Sequence, residues 1–310
     1  MLLQCVSNTA DPEYLHPRSG HRVAVDDANM YVLGGYNPRF WEAENTEDTY
    51  YPLFREVSVR YGRNLLCFGG TGVPFGHSSS NQLHICNLET LKWRLFVCSG
   101  EPPQKKYGHT MTVVGKDLLI VGGTSGWMYN MDVHKLDLQT AKWEKLVNTS
   151  RFSPESRYRH EVVCCENKLF MFGGGRANAA FGLEKVKYLI EREGDVYIVG
   201  GLYDQTILDD IWKLCLRTYK WTKLSTKLQI PVYFHSADVT PEGCMYVFGG
   251  VCKYDNVRTN GIQRIWLQIP SLQEIVWDKM CSSLDMESLS ADKNYLFHLG
   301  IPMHFLDRLS

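Results

Sequence analysis

A doubled glycine closes an apolar run six times in this chain: Gly34-Gly35, Gly69-Gly70, Gly122-Gly123, Gly173-Gly174, Gly200-Gly201 and Gly249-Gly250. The intervals are 35, 53, 51, 27 and 49 residues, so three share a period near fifty and two fall short. Thirteen or fourteen residues before four of the pairs stands a histidine: His21, His109, His160 and His235. After three of the six pairs, Gly69-Gly70, Gly122-Gly123 and Gly200-Gly201, comes a hexad: L-E-T-L-K-W (88–93), L-Q-T-A-K-W (138–143) and L-R-T-Y-K-W (216–221). Self-similarity at such a period marks a stacked architecture, in which one repeat cannot bury both of its faces alone.

Each repeat reads as four short antiparallel strands, a to d. In the fourth, strand a runs from the histidine to about Cys165, and strand b covers Lys168–Phe172 up to its glycines. Both are rich in the β-branched and aromatic residues that suit a packed pleated surface. The hexad spans the c–d turn, and Trp93, Trp143 and Trp221 open strand d, where an indole can pack between neighbouring sheets. This pattern resembles the kelch repeat, which implies one propeller blade per glycine pair. The expected fold is an all-β kelch β-propeller, six-bladed by descent, over residues 1–269, with a short C-terminal helical segment over 270–310.

Both short intervals suggest missing material. From Phe54-Arg55-Glu56-Val57, read as the start of strand c, the chain passes almost directly into Asn64–Phe68; from Leu183-Glu184-Lys185-Val186 it passes into Asp195–Val199. The expectation is truncation near 57–63 and 187–194. Strand d, its tryptophan, the d–a loop and most of the next strand a would be lost, deficits of roughly 16 and 24 residues.

Composition narrows the function. A formal charge of −1 argues against a nucleic-acid binder, which needs a basic face. Ten scattered cysteines with no C-x-x-C pair read as reduced thiols, so the expected location is cytoplasmic and/or nuclear. No apolar run approaches the length that spans a bilayer, and no membrane partner is expected. The histidines repeat as a structural position rather than converging as ligands, and no nucleophile–base pair stands out. No catalytic residue, cofactor or metal is expected.

Strand alternation then places function. Strand b ends at the glycines, so the residues after them share one end of the channel with the residues before each histidine. That end collects Ser19-Gly20, Tyr107-Gly108, Tyr158-Arg159 and Tyr233-Phe234, together with Tyr36, Thr71, Thr124, Arg176 and Tyr203. Arginines among tyrosines suit an anionic peptide group, since a guanidinium grips a carboxylate with two parallel hydrogen bonds. The alternative is that Arg159 and Arg176 pair with local acids such as Glu155 or Glu161. A long loop over 36–54, aromatic and acidic, is either a lip or a solvated insertion.

After Pro270 the β pattern stops. Ser271 reads as a helix cap with Glu274 returning to it, and Leu272, Ile275, Val276 and Met280 fall on one helical face. Further helices are expected from Ser290 to Leu299, stopping at Gly300, and from Met303 to Leu309 behind Pro302. Packing of these helices against the propeller is the alternative to a binding role.

The motifs S-G-H-R (19–22), G-G-Y-N-P (34–38), Y-P-L-F-R-E (51–56), F-G-G-T-G-V-P-F-G (68–76), H-K-L-D-L (134–138), R-Y-R-H-E (157–161), D-I-W-K-L (210–214) and P-V-Y-F-H (231–235) resemble the kelch-propeller substrate receptors of cullin-2 ubiquitin ligases. The resemblance implies a propeller mouth that holds protein C-termini and a tail that binds elongins B and C and then cullin-2. The elongin box falls on Leu272, Val276 and Met280, with Val276 where a cysteine is usual, and the cullin-2 box on Ile301 and Pro302. In the family, carboxylate contacts come from arginines just after a glycine pair and a serine two before strand a. Arg176 is displaced by one from the first position, and Tyr158 stands at a serine position. The mouth residues implied are Arg159 and Arg176, walled by Tyr107, Tyr158, Tyr203, Tyr233 and Phe234. A kelch scaffold that binds actin or a signalling protein, with a merely packed tail, is the competing reading.

Overall fold

A computed structural model describes residues 3–6, 15–26, 29–37, 57–72, 79–126, 128–166, 168–175, 188–283, 293–306 and 308. Its strands form six sheets, antiparallel apart from one short strand. Blade 1 holds β1 (Leu3–Val6), β2 (Arg22–Val25) and β3 (Met30–Leu33); blade 2 holds β4 (Val57–Tyr61), β5 (Asn64–Phe68), β6 (Leu83–Asn87) and β7 (Lys92–Leu95). Blade 3 is β9 (Thr110–Val114), β10 (Asp117–Thr124), β11 (Tyr129–Asp137) and β12 (Lys142–Leu146), with the short β8 (Ser99–Gly100) parallel to β12. Blade 4 has β13 (Tyr158–Cys165) and β14 (Lys168–Gly175); blade 5 has β15 (Tyr188–Arg192), β16 (Asp195–Tyr203), β17 (Thr206–Cys215) and β18 (Lys220–Lys227). Blade 6 has β19 (Ser236–Val239), β20 (Cys244–Phe248) and β21 (Ile262–Trp266). The inner strands β2, β4, β9, β13, β15 and β19 neighbour one another in that order, and β19 returns to β2. The ring therefore closes with six blades.

This corrects the reading that inner strands are missing near 57–63 and 187–194. Val57–Tyr61 pairs with strand b of its own blade, Val57 opposite Phe68 and Tyr61 opposite Asn64, and Tyr188–Arg192 pairs with β16 in the same way. Both are strand a. The a–b hairpin is fixed by its two-residue turn, not by a leading histidine. Gly62-Arg63 and Glu193-Gly194 supply that turn, with Gly62 at φ 58° and Gly194 at φ 80°, matching Gly115 (φ 60°) in blade 3. The shortfall lies on the outer side of the ring. Among the described residues, blades 1, 4 and 6 have no strand d, and blade 4 has no strand c either. In blade 1 the place of strand c is taken by β1, antiparallel to β3.

Inner strands face each other through side chains rather than a shared ladder. Ser236 Oγ accepts from Val23 N at 2.9 Å, Asp238 Oδ2 accepts from Val25 N at 2.8 Å, and Thr110 Oγ1 donates to His160 O at 2.5 Å. These bonds satisfy backbone groups that an inner edge would otherwise leave bare. Arg22 of blade 1 and Glu161 of blade 4 pair at 2.7 Å, so the expectation that Glu161 might occupy a mouth arginine does not hold. A cavity of about 380 Å³ is lined by that pair and by the inner strands, Arg60, Glu191 and Asp238 included.

The tryptophans of the hexads report how complete each blade is. Trp143 packs on Phe68 of the preceding blade, 5.5 Å between ring centroids, and is 4% exposed. Trp221 faces the equivalent Phe172 of blade 4 at 6.2 Å but stays 42% exposed. The relation is the same; the cover is not.

The tail forms α1 (Leu272–Ser283), α2 (Lys293–His298) and α3 (Met303–Leu306), wrapped round Trp277, Leu296, Phe305 and Leu306. Trp277 stacks on Phe305 at 5.0 Å. Ser271 Oγ caps α1 through Glu274 N at 3.2 Å, as the sequence suggests. The Glu274 side chain does not return to Ser271. Its two oxygens accept from Arg308 at 2.8 and 2.9 Å, a bidentate charged pair that outcompetes a single bond to a backbone amide. Gly300 at φ 89° ends α2, donating to Phe297 O at 2.9 Å. Arg308→Ala would leave Glu274 buried and unpaired, at a cost of about 3–5 kcal/mol. The α1 amides should then exchange hydrogen much faster than in the parent chain; unchanged protection would show the pair to be dispensable.

Candidate functional site

The glycine pairs build the mouth by joining each blade to the next. The second glycine donates to a carbonyl three residues before the next histidine: Gly70 to Lys106 (3.0 Å), Gly123 to Arg157 (3.1 Å), Gly201 to Val232 (2.8 Å) and Gly250 to Arg18 (2.8 Å). The first glycine leaves room for that histidine. A Cβ at Gly69, Gly122 or Gly249 would lie 2.7, 2.6 or 2.7 Å from Cε1 of His109, His160 or His21. Burial pushes all four histidines down, His160 and His235 to about 4 and His21 and His109 well below their ordinary value. They are neutral packing residues.

The loop before each histidine then crosses to the end of strand b. Ser19 bridges Tyr36, Tyr107 bridges Thr124, Tyr158 pairs with Gly175 and Tyr233 bridges Val251. Of the two residue sets expected at one end of the channel, Tyr36 and Thr124 thus meet the loops before the histidines, while Thr71 bridges Ser79 instead. The same loops carry a cation three residues before the histidine in blades 1, 3 and 4. Arg18 Nη1, Lys106 Nζ and Arg157 Nη1 reach the carbonyls of Gly34, Gly122 and Gly173 at 3.1, 3.1 and 3.0 Å. Sequence reading passed over this repeated position, although R-S-G-H, K-Y-G-H and R-Y-R-H display it. These cations brace the loops.

The residue directly before each histidine lies in the left-handed region: Gly20 (φ 69°), Gly108 (φ 62°), Arg159 (φ 55°) and Phe234 (φ 55°). Two blades use glycine; the other two accept a strained side chain there, at a cost of about 1 kcal/mol or more each. Those two side chains meet across the mouth. The Arg159 guanidinium lies 4.0 Å over the Phe234 ring and 5.6 Å from that of Tyr158. Tyr158 in turn contacts Tyr129 at 5.0 Å, and Phe234 contacts Tyr233 at 4.9 Å. Tyr107 is buried behind this row, and Tyr203 stands half-exposed at the tip of the β16–β17 hairpin. Arg176 and most of the 36–54 loop lie outside the described residues.

A further arginine that sequence reading missed completes the row. Arg258, on the returning arm of the blade 6 loop, bridges Val251 and sets its guanidinium 5.1 Å over Tyr36. Its Nε donates to Ser19 Oγ at 3.0 Å. It lies eight positions beyond Gly250, so no fixed spacing from the glycine pair announces it. Among the described residues neither Arg159 nor Arg258 makes an ion pair.

The residues expected to form the two tail boxes differ in exposure. Leu272 is 75% exposed, Val276 and Ile275 are half-exposed and Met280 is partly buried, while Glu274, Trp277 and Cys281 turn inward. Ile301 packs against the small helical core and the Pro302 carbonyl starts α3, accepting from Phe305 N at 3.0 Å. No helix among the described residues is long and apolar enough to cross a membrane.

The KLHDC2/KLHL20/DRC7 kelch-repeats domain matches residues 41–174, and the kelch motif matches 192–228. Kelch domain-containing protein 10 of Homo sapiens is 38% identical over 352 positions, which cover 94% of this chain and 79% of the human protein. The chain belongs to the kelch domain-containing protein 10 family. The Drosophila melanogaster homolog of kelch domain-containing protein 10 is 31% identical, covering 94% of this chain and 61% of its own length. The solved structure of YjhT has a TM-score of 0.56 at 14% identity, over 81% of this chain and 98% of that one, and shares the fold. The alignment with the human family member is longer than this whole chain of 310 residues, so that relative carries internal segments absent here. The kelch domain-containing protein 10 family is thereby a family of kelch-repeat propellers, and this member has the architecture of a protein-interaction module.

Proposed function

We propose that this chain is a non-catalytic substrate-recognition subunit of a cullin-2 RING ubiquitin ligase, holding protein C-termini in the propeller mouth and elongins B and C on α1. The observation that carries the mouth reading is the strain at Arg159 and Phe234. Glycine serves the same position in blades 1 and 3, so folding alone does not demand these side chains. An arginine held flat on an aromatic ring, with its edges open, suits a carboxylate or a peptide carbonyl. The tail reading draws support from Leu272 and Val276, which face outward although apolar. Cytoplasm or nucleus is the matching location.

Two experiments test the reading. Co-expression with elongins B and C should give a stable complex that Leu272→Asp abolishes while the melting temperature stays within a degree or two; no complex with the parent chain rejects ligase assembly and favours the scaffold. Arg159→Gly should relieve left-handed strain and leave the fold at least as stable, yet weaken binding of C-terminal peptides roughly tenfold or more. Peptide affinity unchanged by Arg159→Gly would remove that residue from the site.

A further inference from the structure

We propose that Arg258, in a socket between blades 6 and 1, takes the terminal carboxylate, while Arg159 closes over the chain behind it. The assignment rests on the chain-end reading above and divides its two arginines by their geometry.

Arg258 is fixed before any ligand arrives. Its Nε is held by Ser19 Oγ at 3.0 Å, its Nη1 donates to Asn256 O at 2.8 Å, and its face covers Tyr36. Nη2 makes no hydrogen bond to the described residues, so the group offers donors in a set direction. An oriented guanidinium loses little further freedom on gripping a planar anion. Burial pulls it below its ordinary pKa, and only the phenols of Tyr36 and Tyr233 counter that effect. A partly desolvated cation with no carboxylate beside it among the described residues gains most from one supplied by a ligand.

Space favours the same end. Of the four loop pairs at the mouth, Ser19-Gly20 alone carries no ring; Tyr107, Tyr158-Arg159 and Tyr233-Phe234 fill the other positions. Arg159 differs in kind. Its backbone N–H donates to Gly108 O, but its guanidinium makes no hydrogen bond to the described residues and is held by stacking on Phe234, which leaves its donors for backbone carbonyls. Tyr233 and Phe234, 4.9 Å apart, form the floor between the two arginines.

The test uses the full chain and short peptides with randomised ends, arrayed both as free acids and as amides. The best-retained sequence is then measured in both forms by fluorescence anisotropy. The parent chain should prefer the free acid roughly tenfold to a hundredfold. Arg258→Ala should bring that preference close to one, and Arg258→Lys should keep part of it. Arg159→Ala should weaken both forms alike and leave the preference standing. A preference retained in Arg258→Ala, or lost in Arg159→Ala, overturns the assignment while sparing the chain-end reading. Indifference of the parent chain to amidation rejects the chain-end reading itself. Thermal melts of each variant separate loss of binding from loss of fold.

Discussion

Between pH 7 and pH 5 the protein should lose most of its native structure, well above the range where carboxylates normally drive acid unfolding. The cause is the four histidines wedged against glycines of the neighbouring blade. Burial holds His160 and His235 at about 4, and His21 and His109 well below their ordinary value. An unfolded chain protonates each near 6.5, so below that pH the unfolded state binds more protons and stability rises with pH. The contribution is complete above 6.5 and falls away as pH drops towards 4. For the two at about 4, the loss at pH 5 is about 2 kcal/mol each, and His21 and His109 act in the same direction.

One buried acid works the other way. Asp238, accepting from Val25 N and Val239 N, is pushed up to about 6 by burial. It takes up a proton in the folded state between 6 and its unfolded value, which returns about 1 kcal/mol on acidification. His160 and His235 against that aspartate leave a net loss of about 3 kcal/mol, which His21 and His109 enlarge, a large part of the stability of an ordinary domain. Near-ultraviolet circular dichroism against pH is the measurement. A native signal that persists to pH 4 would mean that the histidines protonate in place and that the wedge against the glycines does not set the acid stability.

How legible the fold was in the sequence follows from which contacts are local. The glycine pairs, histidines and tryptophans recur because each meets the same partner in the adjacent blade: Gly123 with Arg157, His109 with Gly69, Trp143 with Phe68. A period written into the sequence exposes such contacts directly. The inner strands of blades 2 and 5 escaped because histidine is only one way to lead into strand a. The turn at Gly62-Arg63 carried the decisive signal and is two residues long. At the mouth, alternation and the glycine position were enough to bring Tyr158, Arg159, Tyr233 and Phe234 to one end. Arg258 was hidden because it lies beyond a loop whose length no repeat rule sets, and its partner Ser19 is 239 residues away in the chain. The role of Glu274 was misjudged for the same reason: Arg308 competes for it from 34 residues downstream.

Restoring outer strands to blades 1 and 4, by grafting the corresponding internal segments of kelch domain-containing protein 10, should raise the melting temperature by on the order of ten degrees. Trp221 sets the scale. In the complete surroundings of blade 2, the equivalent Trp143 is 4% exposed; over blade 4, Trp221 remains 42% exposed. Burying that difference on a large indole contributes about 2–3 kcal/mol. Leu169 on β14 is also 41% exposed, and the eight residues of β14 have β13 as their one described strand neighbour. A third strand would pair that edge and cover Phe170 and Phe172. Blade 1 is less exposed to this fault because β1 already lies against β3, so a graft into blade 4 alone should give the larger share of the gain. Quenching of Trp emission by acrylamide should fall at the same time, and a Trp221→Phe control should remove that change. Equal melting temperatures for the grafted and parent chains would show that the shortened ring has repacked fully without its outer strands, and the exposure of Trp221 would then need another cause.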